Sequence, residues 1–129
     1  MRFEKNNPKY EKALRTYFDK ALQNVPIQSI CAIDDDGKIL GGCGFSPVRN
    51  GRTSAFILAL NKKWATRETY AAIMRFPFEE MGAEVVEANV GSNVRSRNCC
   101  VKMGGISCKD ERSFFFKKES VLCVAENLL

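Results

Sequence analysis

The segment "NKKWATRE" at residues 61–68 combines residue types that suit the binding of a phosphate group. Thr66 is a good N-cap residue, so a helix is predicted to begin there. The first N–H groups of a helix lack acceptors within it, and with the helix dipole they attract phosphate. Lys62, Lys63 and Arg67 add mobile positive charge. The segment therefore indicates either a phosphate site or an ordinary capped helix behind a solvated basic loop.

A second segment, "NVRSRNCCVKMGGI" at residues 93–106, is typical of a short helix between two turns. Asn93 suits the start of a helix, and a double glycine suits its end. Between them, Ser96, Cys100 and Lys102 stand at fixed spacing.

Histidine is absent from the sequence, which excludes Ser-His and Cys-His nucleophile pairs and His-ligated metals. Catalysis would have to use carboxylates, thiols, tyrosine, lysine, backbone dipoles or bound water. No CxxC pair exists, so zinc-ribbon spacing is absent and no metal site is predicted. We expect the six cysteines to be thiols rather than disulfides. They are Cys31, Cys43, Cys99, Cys100, Cys108 and Cys123.

The chain has 129 residues, of which 45% are hydrophobic, so we expect one domain spanning residues 1–129 around one core. No stretch approaches the roughly 20 apolar residues of a membrane helix, and the polar N-terminus does not resemble a signal peptide. These features predict a cytoplasmic protein with no membrane association. The net charge of +5 suits nucleic acid, an acidic protein or a phosphorylated cofactor. Because the basic residues are spread over many segments, nucleic acid is the least favoured of the three.

The sequence also predicts the helices and strands that hold these residues in place. Helical periodicity predicts an amphipathic helix over residues 8–23, with Pro8 in its first turn. Strands are predicted at 27–33, 38–47 and 53–60. "DDDG" and "RNG" between them are hairpin signals, so the three strands should form an antiparallel meander with the third strand central.

The second half of the chain alternates between helices and strands. The helix that begins at Thr66 should end at Gly82, and Pro77 should distort its last turns. A strand at 83–90, the short helix, and two strands at 106–117 and 120–126 follow, with "KKES" as the last turn. The order α-βββ-α-β-α-ββ predicts an α+β fold.

The order of these elements resembles the GNAT superfamily of N-acetyltransferases from residue 27 to about 126. The 93–106 segment is similar to the family's N-x-x-A/S-x-x-x-Y-x-K-x-G-F pattern, with Asn93, Ser96, Lys102 and Gly104 in register. "KKWATRETYAAIMRFPFEEMG" looks like the cofactor helix of small phage-encoded members. The resemblance implies a mixed central sheet with splayed strands and flanking helices. It also implies acetyl-coenzyme A (acetyl-CoA) as co-substrate and an amine as acceptor.

The sequence departs from the family pattern at several points. The cofactor loop lacks the usual glycines, which suggests a more open loop and weaker binding. Cys100 replaces a tyrosine, and Gly105 replaces a phenylalanine. The N-terminus looks truncated, with one helix where the family usually has a strand and two helices.

The resemblance implies a set of cofactor contacts. A backbone N–H near Leu58, Ala59 and Leu60 would meet the acetyl carbonyl, and Asn93 would bond the pantetheine arm or act only as an N-cap. Trp64 would cover the adenine or anchor its loop. The implied cofactor-binding residues are Leu58, Ala59, Leu60, Lys62, Lys63, Trp64, Ala65, Thr66, Arg67, Asn93 and Ser96.

Two catalytic roles follow from the same resemblance. Cys100 stands where the family often has its acid, and a thiol can donate a proton, although it is a weak hydrogen-bond donor. The alternative is a buried packing residue. Glu87, on the strand before Asn93, is the best candidate for the base, and its side chain could equally face solvent.

A non-enzymatic function stays open beside transfer. The departures in the cofactor loop and at Cys100, and the likeness to phage proteins, favour a GNAT-like fold that binds and modulates a host protein. Strand alternation sends Phe115 to one face and Phe114 with Phe116 to the other. One of these faces is expected to form either a homodimer or partner interface, or an extra core layer.

Overall fold

The computed structural model describes residues 1–18, 22, 24–64, 66–89, 94–102, 106–107 and 113–118. Three α-helices lie in these ranges: α1 (Pro8–Tyr17), α2 (Arg67–Arg75) and α3 (Val94–Lys102). A 3-10 turn (Lys62–Trp64) precedes α2, and a π-helical segment (Phe76–Glu80) follows it. The strands are β1 (Arg2–Lys5), β2 (Gln28–Ile33), β3 (Ile39–Phe45), β4 (Arg52–Ala59), β5 (Val85–Asn89), β6 (Ile106–Ser107) and β7 (Ser113–Lys117).

The seven strands form one mixed sheet in the order β1-β2-β3-β4-β5-β7-β6. Only the β4–β5 pair is parallel, and α2 is the crossover that joins these two strands. All the other neighbours are antiparallel. The α+β fold with a mixed sheet, predicted from the sequence, is confirmed.

The N-terminus begins with a strand that the sequence analysis missed. All four residues of β1, Arg2 to Lys5, pair with β2, from Ile33 to Ile30. The strand is short and mostly charged, so it carries no apolar alternation, and its partner alone makes it a strand. Asn6 fixes the turn that follows, with a φ of 52° and a side chain that accepts a 2.9 Å hydrogen bond from the Ser29 N–H. The single helix expected at the N-terminus is therefore preceded by a strand.

The expected single strand at 106–117 is also wrong. Ile106 pairs with Phe115 and Ser107 with Phe114, so the chain reverses between residues 107 and 113. Four consecutive charged residues, at positions 109–112, separate the two strands in the sequence, and the prediction of one strand did not take this interruption into account. The expected strand at 120–126 lies outside the described residues.

The predicted "DDDG" and "RNG" turns and the Thr66 cap are confirmed, whereas Asn93, the double glycine at 104–105 and the second half of "KKES" lie outside the described residues. Asn50 and Gly51 have φ values of 53° and 75°, and Gly37 has a φ of 80°. Thr66 caps α2 by accepting a 3.1 Å hydrogen bond from the Thr69 N–H. At Pro77, which lacks an N–H, the helix widens, and the Met81 N–H donates to the Phe76 carbonyl across a π turn.

Two apolar layers cover the sheet. The larger cluster lies between the sheet and α2 with the π segment, and it includes Ala59, Trp64, Cys100, Phe114 and Phe116. The smaller cluster lies under α1 and contains Tyr10, Leu14, Cys31, Ile33 and Leu58. Since neighbours in a strand point to opposite faces, Ala59 and Leu58 mark the α2 face and the α1 face respectively. Among the described residues, no helix is long and apolar enough to span a membrane.

Gly41 makes the closest approach in the core, so its substitution should destabilise the fold. A Cβ at this position would lie 2.5 Å from ring atoms of Trp64 and 2.6 Å from the backbone oxygen of Leu58. We expect Gly41→Ala to lower the free energy of unfolding by about 1–3 kcal/mol in urea denaturation. Gly44→Ala in the same strand is the control, because its Cβ would meet only the movable tip of Ile27, at 3.2 Å. Equal stability of the two variants would contradict this account.

Candidate active site

The end of strand β4, beyond the described part of the β4–β5 ladder, is the first feature of the candidate site. The described pairing of the two strands runs from Arg52 opposite Val85 to Phe56 opposite Asn89. β4 continues to Ala59, and on its other side it stays paired with β3 up to Gly41 opposite Ala59. The end of β4 therefore extends beyond the described β5 ladder.

The direction of the backbone groups at this end follows from the β3–β4 register. The Leu60 N–H donates to the Leu40 carbonyl at 3.0 Å, which makes these two residues a hydrogen-bonded pair. Because such pairs alternate along an antiparallel ladder, the N–H and C=O of Leu58 also point toward β3. Those of Ala59 point to the opposite side, toward β5. Within the predicted range Leu58 to Leu60, Ala59 is the residue whose N–H faces the β5 side of the strand.

The start of α2 supplies the second feature, a set of unused N–H donors. The Thr69 N–H bonds the Thr66 hydroxyl and the Tyr70 N–H bonds the Thr66 carbonyl. The N–H groups of Arg67 and Glu68 have no acceptor among the described residues. They are the two donors that an anion at this helix terminus would meet.

The charges around these donors are mainly positive. Lys62, Lys63 and Arg67 are exposed, and Glu68 is the acidic residue of the first turn. Three cations against one carboxylate leave a local excess of two positive charges. The site therefore favours a polyanion such as a pyrophosphate, although Glu68 reduces the attraction.

The loop before α2 is compact, contrary to the open loop expected from its lack of glycine. The backbone N–H of Trp64 donates to the Asn61 carbonyl, which closes a 3-10 turn. The backbone N–H of Lys63 donates to the Asn61 side-chain oxygen. Trp64 is 2% exposed and packs on Gly41. Of the two roles predicted for Trp64, the structure supports the anchor, because the ring is inside the core and does not face a ligand at the surface.

The two predicted catalytic residues are not brought together. Cys100 on α3 is fully buried in the larger core cluster. Glu87 is exposed and lies opposite Ser54 in the β4–β5 register. Five residues of strand, roughly 17 Å, separate Ser54 from Ala59. Glu87 is therefore remote from Ala59 at the end of β4.

Three of the predicted cofactor contacts cannot be placed. Ala65 and Asn93 lie outside the described residues, and Ser96 is described only as part of the backbone of α3. Leu58 is buried under α1, and Leu60 is 48% exposed at the start of the loop. Among the described residues, no group of three or more potential metal ligands occurs.

The cysteine thiols provide a test of the redox state. Cys31 is fully buried, and burial raises the pKa of its thiol from 9.0 to about 11. We expect denatured protein to contain six titratable thiols, and native protein to leave Cys31 unmodified by iodoacetamide at neutral pH, because the thiolate is the reactive form. Mass spectrometry of the alkylated peptides measures both. A disulfide in freshly purified protein, or rapid native alkylation of Cys31, would contradict the prediction.

Comparison with solved structures identifies the fold. An acetyltransferase of the GNAT family from Staphylococcus aureus Mu50 superposes with a TM-score of 0.66 at 12% identity, covering 91% of this chain and 98% of that one. The KacTA–DNA complex gives a TM-score of 0.61 at 14% identity, covering 98% of both chains. The spermidine/spermine N-acetyltransferase SpeG from Vibrio cholerae gives 0.59 at 10% identity, covering 87% of this chain and 79% of that one. Neither a protein-family profile nor a curated protein sequence matches this chain.

These likenesses define the class by its architecture. The chain has the fold of the GNAT acetyltransferases, a mixed sheet with flanking helices, as the sequence resemblance implied. Identities of 10–14% carry the fold and leave the activity to be argued from the site.

Proposed function

We propose that the protein binds acetyl-CoA and transfers its acetyl group to an amine on a protein or small molecule. The observation that carries this proposal is the end of β4, where the Ala59 N–H faces the side of β5 beyond the last described rung of the ladder. An extended pantetheine arm would pair there as an added strand. The acetyl carbonyl would then accept a hydrogen bond from Ala59, which would stabilise the oxyanion that forms during attack.

The phosphates of the cofactor would lie at the start of α2. The N–H groups of Arg67 and Glu68 would donate to the pyrophosphate, and the side chains of Lys62, Lys63 and Arg67 would supply countercharge. Thr66 would set the helix terminus through its cap rather than touch the phosphate directly. Ala65, Asn93 and Ser96 are proposed as further contacts on the resemblance alone.

The transfer itself would be a direct attack of a neutral amine on the thioester carbon. The C–N bond forms as the C–S bond breaks, the amine loses a proton, and the leaving thiolate gains one. We propose Cys100 as the donor to the thiolate. Because Glu87 lies roughly 17 Å from Ala59 along the sheet, water is a better route than Glu87 for removing the amine proton.

Acetyl-CoA should stabilise the folded protein against heat. A ligand at 100 times its Kd adds about 2.7 kcal/mol, which for a domain of this size raises Tm by roughly 8 °C. Arg67→Glu should abolish this increase, because it places a carboxylate against the pyrophosphate. Lys12→Glu, the same charge change at an exposed position on α1, is the control. No change in the Tm of the wild type at millimolar acetyl-CoA, measured by differential scanning fluorimetry, would rule out the cofactor site.

A second candidate function is the binding and modulation of a host protein. Phe115 is half-buried on the α1 face, and Val94 and Val101 are 67% and 62% exposed on α3. These apolar side chains favour a protein partner or a homodimer. In either case we propose the cytoplasm as the place of action, since buried thiols suit a reducing compartment.

The two functions separate in one experiment. A bacterial lysate is incubated with the protein and radiolabelled acetyl-CoA, and labelled products are resolved. Labelled acceptors that disappear with Arg67→Glu support transfer. A host protein retained on the immobilised wild type, with no labelled acceptor, supports the binding function instead.

A further inference from the structure

A groove opens on the α1 face of the sheet, at the end of β4 and β5 remote from Ala59. Its volume is about 220 Å³, and its lining includes Arg49, Arg52, Glu87, Val85 and Phe115. We call it the arginine groove. Pockets for drug-sized ligands are typically larger than about 300 Å³, so this groove suits a smaller molecule.

The two arginines are held side by side by a rigid turn. Arg49 and Arg52 exchange backbone hydrogen bonds of 2.9 and 3.0 Å around Asn50 and Gly51, whose positive φ values define a two-residue hairpin turn. The Gly51 carbonyl accepts a further 2.7 Å bond from the Glu84 N–H, which ties the turn to the start of β5. The positions of the two arginine Cα atoms are therefore preorganised.

The arginine pair has no counterion in the part of the chain that the structure describes. Like charges placed directly opposite each other in a hairpin are destabilising. Among the described residues, no ion pair within 4.0 Å involves Arg49 or Arg52. A bound anion would offset the repulsion, and a carboxylate suits the fork of an arginine side chain.

Glu87 places an opposite charge in the same groove. It lies between Ser54 on β4 and Phe115 on β7 in the sheet register. It forms no ion pair with the arginines or with any other cation among the described residues. The groove thus keeps charges of both signs apart instead of neutralising them, and Val85 and Phe115 provide an apolar surface beside them.

We propose that the arginine groove binds a small zwitterion of the α-amino acid class. The carboxylate would bind Arg49 and Arg52, the ammonium group would bind Glu87, and the side chain would pack on Val85 and Phe115. The ammonium group would lie level with Ser54 and far from Ala59, so it would not be an acetyl acceptor. This proposal is independent of the proposed transfer activity.

The affinity should be modest. All three charged side chains are exposed, and exposed ion pairs contribute little because water and salt screen them. We expect a Kd on the order of 1 mM for an amino acid with an apolar side chain.

An NMR titration with L-leucine tests the site on the full chain. At about 10 mM leucine, the amide signals of Gly51 and Glu87 should shift with saturation. Leucine amide lacks the carboxylate and N-acetyl-leucine lacks the ammonium group, so each should bind at least about tenfold more weakly. Arg52→Gln and Glu87→Gln should weaken leucine binding by a similar factor. Lys38→Gln and Glu79→Gln, which remove the same charges at exposed positions outside the groove, are the controls.

Three results would overturn the proposal. The first is the absence of any saturable shift with leucine. The second is equal binding of N-acetyl-leucine, which would show an anion site in which Glu87 plays no part. The third is wild-type affinity for leucine in either groove variant while the amide signals of Gly51 and of residue 87 still move.

Discussion

Replacement of Phe114 by aspartate should prevent the domain from folding. Phe114 is 1% exposed, lies opposite Ala88 in the central part of the sheet, and belongs to the larger core cluster. Loss of a buried phenylalanine costs about 3–5 kcal/mol, and a buried carboxylate without a partner adds several more. This total is comparable with the roughly 5–15 kcal/mol that stabilise a typical domain. Circular dichroism and the yield of soluble protein measure the effect.

Phe115→Asp is the matched control for this prediction. Phe115 is the next residue on the same strand, but its side chain lies half-buried on the opposite face, at the arginine groove. We expect this variant to fold with a cooperative melting transition. If both variants unfold, or if both are folded, the assignment of the two faces of β7 is contradicted.

The structure also decides between the two interpretations of the three consecutive phenylalanines, a partner interface or an extra core layer. The structure buries Phe114 and Phe116 in the core, so the extra core layer is the correct interpretation for these two. Phe115→Asp is therefore the variant that tests host-protein binding, and loss of retention by folded Phe115→Asp would support that function.

Cys100→Ala should slow acetyl transfer by about 10²–10⁴-fold if Cys100 protonates the leaving thiolate. The acetyl-CoA-dependent increase in Tm should stay close to that of the wild type, because the phosphate contacts at α2 are unchanged. A purely structural role would lower the Tm of the unliganded protein and leave the rate of the folded fraction intact. Initial rates of acceptor labelling and melting curves with and without acetyl-CoA distinguish these outcomes.

Cys43→Ala is the control for the loss of a buried thiol. Cys43 on β3 is fully buried in the same core cluster, so the volume removed and its cost in stability should be similar. A rate that falls equally in both variants would assign the effect to packing. A wild-type rate in Cys100→Ala would exclude Cys100 as the proton donor.

Local chemistry determined much of this protein from the sequence alone. The Asn50–Gly51 turn, the Thr66 cap and the distortion at Pro77 each depend on a residue and its near neighbours, so the sequence was sufficient to predict them. The alternation of Phe114 to Phe116 follows from strand geometry in the same way. The resemblance around Asn93 and Lys102 predicted the fold, and the solved structures confirm the fold.

Tertiary structure decided the features that depend on distant partners. β1 is a strand only because β2 pairs with it, and the antiparallel register of β6 with β7 is defined only by their pairing. Trp64 became an anchor because Gly41, on another strand, leaves room for its ring. Glu87 was separated from Ala59 at the end of β4 by the β4–β5 register, which spacing along the chain does not encode. The arginine groove was missed for the same reason, since Arg49 and Arg52 meet Glu87 only through parallel pairing across the α2 crossover.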